Sequence, residues 1–99
     1  MGELARAHAR AMASRGKLSH RGASGRFRAL EPSGMNAFAE NVAFNLGHSD
    51  PATTAVRGWI NSPGHHRNMV SPTYGFAGLG VARSAEGGWY FTQIFGSRP

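Results

Sequence analysis

The sequence predicts an α+β fold, with helices packed on a small antiparallel sheet. Three observations lead there. Apolar residues recur at helical spacing in stretches that carry cap residues at their ends. From Tyr74 onward the period changes to two. A glycine-containing turn, Ser84-Ala85-Glu86-Gly87-Gly88, separates the two alternating segments and makes them a hairpin. Helices followed by a hairpin in a chain of 99 residues point to one domain, residues 1–99, with helices layered on strands.

The elements follow in order. Leu4, His8, Ala11 and Met12 define the apolar stripe of a first helix, which Gly16 closes in the left-handed conformation. Lys17 to Pro32, rich in Gly, Ser and Arg, reads as loop with at most a short extended piece at Phe27 to Leu30. A second helix is expected after Asn36 as cap, ending at Gly47, with Phe38, Val42 and Leu46 on one face. The third has the clearest start: Ser49 or Asp50 caps it, and Pro51 occupies the first position, where a missing N–H costs nothing. Val56, Trp59 and Ile60 form its stripe, and Ser62-Pro63-Gly64 breaks it. His65 to Val70 makes a further short turn of helix, closed by Pro72. The hairpin strands then run through Phe76 to Ala82 and Trp89 to Phe95.

A hydrophobic content of 40% supports a single core, and the absence of cysteine rules out disulfide staples. No apolar run approaches the roughly 20 residues that cross a bilayer, so no transmembrane segment is expected. Met1 to Arg10 has no signal-peptide character. Ten arginines and one lysine against five acids give a net charge of +6, which favours anionic surfaces such as phosphate polymers, acidic glycans or anionic lipid. The densest cationic group is Arg15, Lys17, Arg21, Arg26 and Arg28. Only Phe27 interleaves it, so a stacking platform for single-stranded nucleic acid is not supported.

Four pieces of the chain resemble the CAP superfamily (cysteine-rich secretory proteins, antigen 5 and pathogenesis-related proteins) in its short, cysteine-free bacterial branch. Leu4 to His20 is similar to the first helix and the His-bearing loop after it. Ala39-Glu40-Asn41-Val42-Ala43 is similar to the family's Glu-Asn helix start, which would put Glu40 at the start of a helix. Trp59 through Met69 resembles the bacterial Trp-x-x-Ser-Pro-Gly-His-Arg element. Gly78 to Ala82 and Phe91 to Gly96 resemble the two C-terminal strands. The resemblance implies an α-β-α sandwich and a secreted or envelope-associated protein. It also implies a shortened N-terminus, since members carry more sequence ahead of the first helix than Met1 to Glu3. Where the eukaryotic branch has a tetrad of two His and two Glu, this chain keeps His20 and Glu40. Ser62 and Tyr90 stand at the other two places, and His65 belongs to the bacterial variant of the site.

The expected cavity residues are therefore His20, Glu40 and His65. Two imidazoles and a carboxylate could bind zinc or another divalent cation, with His20 and His65 as ligands. They could equally form an acid/base group oriented by Glu40, or a hydrogen-bonded cluster tying the Lys17–Pro32 loop to the helices. His8 reads as a satisfied core histidine, His48 and His66 as surface residues, and Asn41 and Asn68 as partners of backbone groups. Ser62 precedes a helix stop and lacks a strained nucleophile turn. The leading expectation is a domain that binds a lipid, small molecule or divalent metal at a His/Glu cleft. The alternatives are a metal- or His/Glu-assisted hydrolase of peptide or cell-wall material, and a basic module adhering to an anionic polymer or membrane surface.

Overall fold

The last strand of the chain is the middle strand of the sheet. In the computed structural model, which describes residues 1–99, helix α1 (Gly2–Arg15) and helix α2 (Ala23–Leu30) are followed by a 3-10 turn at Glu31–Ser33 and by strand β1 (Ala37–Asn45). Helices α3 (Pro51–Ile60) and α4 (Pro63–Val70) lead to the hairpin β2 (Phe76–Arg83) and β3 (Trp89–Ser97). Both neighbours pair antiparallel with β3, in the order β1-β3-β2, with Glu40 opposite Ile94 and Gly80 opposite Thr92.

Several local expectations hold. Gly16 adopts φ 67° and its N–H bonds the Met12 carbonyl, closing α1. Asp50 caps α3 by accepting from the Thr53 N–H, with Pro51 at the first position. The hairpin forms where the alternation places it.

Two expectations are corrected. The helix expected from Asn36 to Gly47 is the strand β1. The i, i+4 spacing of Phe38, Val42 and Leu46 mimics a helix. However, nine consecutive residues find ladder partners on β3, and the buried run Glu40, Asn41 and Val42 is covered on both faces of the sheet instead of one. The segment Lys17 to Pro32, expected as loop, contains α2. Its weak local propensity is overridden by tertiary contacts: Leu30 is buried, and the Phe27 ring stacks on Phe38 with centroids 5.2 Å apart.

Alternation along β1 and β3 divides the core between two faces. On one, Met12 and Ala13 of α1 meet Val42 and Tyr90, while Ala5 joins Leu30, Met35 and Ile94. On the other, Ala55 and Trp59 of α3 meet Phe91, with Ala43 and Met69 packed alongside. Full burial of Ile94 contributes about 1.5–3 kcal/mol. Helix α1 approaches β2 closely because β2 presents glycines: a Cβ on Gly78 would lie 2.6 Å from Met1, and one on Gly80 would fall into the Ala5–Arg6 peptide. No helix is long and apolar enough to cross a membrane.

Candidate functional site

Glu40 lies mid-strand with its side chain 2% exposed, on the β1 face turned toward α1. An ionised carboxylate there needs cations or donors. Arg26 of α2 supplies two bonds: Nε donates to Oε2 at 2.6 Å and Nη2 to Oε1 at 2.7 Å. His20, on the loop between α1 and α2, places Nδ1 2.9 Å from Oε1, so that nitrogen carries the proton and Nε2 is left free. The His20 side chain is 54% exposed. His8 of α1 places Nε2 4.0 Å from the same oxygen, but donates it to the Ser19 carbonyl at 2.7 Å. Burial holds the His8 pKa below its ordinary 6.5. It is the satisfied core histidine that its place on the helix stripe suggests.

His65 stands in different company. It opens α4, where its Nδ1 is 2.8 Å from the hydroxyl of Ser62, the residue ahead of the helix. Its carbonyl accepts from Asn41 Nδ2 at 3.1 Å, and Asn41 Oδ1 accepts from Asn68 Nδ2 at 3.0 Å. Asn41 follows Glu40 in the strand, so the two side chains leave opposite faces. The dipeptide thus serves the α1 side with its acid and the α4 side with its amide. His20 and Glu40 are brought together; His65 is hydrogen-bonded to neither. Asn41 bonds a backbone carbonyl as expected, whereas Asn68 bonds a side chain.

No group of three or more His, Cys, Asp or Glu side chains is placed to hold a metal ion. Both Glu40 oxygens are already engaged, and the guanidinium neutralises the charge that would attract a divalent cation. Glu40 is therefore held as an ion-pair partner, with little left over to act as a ligand itself. The arrangement suits a latch, because Arg26 also donates to the carbonyls of Arg21 and His20. Arg26 was legible in the sequence only as one cation among many. Its signal is Glu40: a carboxylate among the apolar residues of Phe38 to Phe44 requires a partner, and the nearby segment is rich in arginine.

A groove of about 380 Å³ adjoins β1, with walls that include Leu18, Val42, Phe44 and Trp59 and with Ser62 and His65 among its polar lining. The Trp59 indole N–H donates to the Val42 carbonyl, fixing α3 against the strand. Another recess of about 390 Å³ lies between α1 and the β2–β3 turn and contains none of the expected site residues.

Three antiparallel strands with the Glu40 element in the first, a His-bearing loop after α1, and the Ser-Pro-Gly-His turn after α3 define a class. The chain belongs to the cysteine-rich secretory protein (CAP) family, whose model it matches over residues 1–95. It is similar to the uncharacterized membrane protein YlbC of Bacillus subtilis (strain 168), at 41% identity over 56 residues. That match takes in 57% of this chain and spans only 14% of the relative's length. Among solved structures, an outer surface protein from Borrelia burgdorferi superposes with a TM-score of 0.74, over 98% of this chain and 72% of the other. At 19% identity, that likeness is one of fold.

Proposed function

We propose that the chain is an extracellular or envelope-exposed binding domain that takes a partly apolar small molecule or lipid in the groove beside β1. The groove itself carries the reading: about 380 Å³ of space beside Leu18, Phe44 and Trp59, with Ser62 and His65 supplying polar contacts. The family description and the surface location in the Borrelia neighbour's name support an extracellular-type setting; the Bacillus relative is named as a membrane protein. The helices on the two faces of the sheet are read as the α-β-α sandwich that the resemblance implies. The Arg26–Glu40–His20 latch holds the loop that carries Leu18, and so braces one wall.

The test is titration with a dansyl-labelled fatty acid. Gly58 lines the groove, and a Cβ there meets nothing within 4 Å, so a side chain can leave the helix into the space. Gly58→Leu should fill the space and abolish uptake while the protein stays folded. Uptake unchanged in that variant, or no uptake by the parent, removes the reading.

A second reading rests on the His20–Glu40 pair. A carboxylate 2.9 Å from Nδ1 orients an exposed imidazole as a general base toward water. Turnover of a peptide or peptidoglycan library that His20→Ala abolishes would establish a hydrolase; no turnover by the parent protein would dismiss it.

A further inference from the structure

We propose that the end of the molecule formed by Leu18, Phe44 and Leu46 docks on the surface of an anionic lipid bilayer. The proposal does not rest on the groove having a ligand. Leu46 stands outside the groove lining, as do the cations named below.

Three large apolar side chains gather here and remain exposed. Leu18 is 44% exposed, Phe44 45% and Leu46 54%. They are contiguous: Leu18 and Phe44 line one opening, and Phe44 and Leu46 line the next one together with Gly16. Phe44 is held in place, since its ring lies over Gly88 so closely that a Cβ there would be 2.5 Å away, and it packs on Tyr90 at 4.9 Å. An exposed apolar cluster anchored by Phe44 is what an interfacial contact presents to acyl chains.

Charge surrounds it. Arg15 and Lys17 flank Gly16 and Leu18 in the chain, and Arg21 shares a recess with Arg15. Gly87 brings Arg83 beside Leu46, since a Cβ on it would lie 3.4 Å from the Arg83 guanidinium and 3.9 Å from Leu46 Cδ1. Glu86 is the acid bordering this end. Of the eleven lysines and arginines, only Arg26 has a carboxylate within 4.0 Å, so the cations at this end are unpaired. Unpaired cations around an apolar centre match phosphate headgroups over hydrocarbon. A soluble polyanion would satisfy the cations and leave the leucines in water, which is why lipid is favoured over polymer.

The experiment is co-sedimentation of the full chain with vesicles of equal parts phosphatidylglycerol and phosphatidylcholine, against phosphatidylcholine alone. Binding is expected only to the anionic vesicles and should fall with added salt. Combined Lys17→Ala and Arg21→Ala should weaken it by roughly 25-fold, about fivefold for each charge. Combined Leu18→Ser and Leu46→Ser should weaken it by about tenfold or more while leaving adsorption to dextran sulfate unchanged. All four side chains are solvent-exposed, and equal melting temperatures confirm that the variants fold. Vesicle binding that the serine variant retains in full would reassign the surface to anionic polymer and overturn the proposal. Equal binding to neutral vesicles, or none to anionic ones, overturns it too. Fatty-acid uptake that persists in the Lys17→Ala/Arg21→Ala variant while vesicle binding is lost separates this surface from the groove.

Discussion

Arg26 holds Glu40 by two parallel N–H···O bonds of 2.6 and 2.7 Å, with the arginine side chain 11% exposed and the glutamate 2%. Removing one partner strands a charge in a dry site. Arg26→Ala should therefore cost about 3–5 kcal/mol, read as a lower urea midpoint with unchanged slope. Replacing both together, Arg26→Met with Glu40→Leu, should recover most of that loss, because the desolvation penalty disappears with the pair. A single variant as stable as the parent would show that the latch does not hold the α1–α2 loop.

Acid should weaken the fold through His8. Its folded pKa lies below 6.5, first because burial penalises the imidazolium and further because Arg26 and His20 repel it; the Ser19 carbonyl and Glu40 act in the opposite sense. Above that range His8 is neutral in both states. As pH falls through 6.5 the unfolded chain binds a proton that the folded chain refuses, so stability is lost from there down to the folded pKa and then levels off. His8→Gln, which can still donate to the Ser19 carbonyl, should flatten this part of the curve of melting temperature against pH. A wild-type curve that the variant reproduces would assign the titration elsewhere.

The ends of elements were legible because their chemistry is local. Gly16, Asp50 and Pro51 each satisfy or spare a backbone group within a few residues, and the hairpin is written in alternation around a glycine turn. β1 was not legible for a physical reason. Alternation reports a strand with one wet face, whereas here Glu40 and Asn41 are both buried and break the apolar pattern on either face. Misreading the strand as a helix also hid the division of the site. On a helix, Glu40 and His65 can converge at one cleft. On a strand, Glu40 turns toward α1 while Asn41 takes the contact to His65. Arg26 escaped for a related reason, since α2 is held by what it touches more than by its own propensity.

Two glycines should respond in opposite directions to the same change. Gly80 is buried where α1 crosses β2, and a Cβ there would meet the Ala5–Arg6 backbone, so Gly80→Ala must push the helix off the sheet. A cost of about 3 kcal/mol or more is expected. Gly58 lies within α3 with open space around it, so Gly58→Ala should stabilise by roughly 0.5–1 kcal/mol through the unfolded state and helix propensity. Thermal melts of the pair check both signs. A tolerated Gly80→Ala would mean that α1 does not seat directly on the strand.

Asn41 tests whether the second face matters as much as the first. It is fully buried, and its amide spends one end on the His65 carbonyl and the other on Asn68. Asn41→Ala leaves an acceptor and a donor without partners, which should cost about 1–3 kcal/mol for each that stays dry. Asn68 is half-buried, and its amide can turn to water, so Asn68→Ala should cost less. The more telling readout is local. Because Asn41 ties the first turn of α4 to β1, its loss should speed amide exchange across Pro63–Val70 and free the His65 ring, while α1 and the Glu40 contacts keep their protection. Loosening that reached both faces equally would mean the two halves of the Glu-Asn pair act as one unit across the strand.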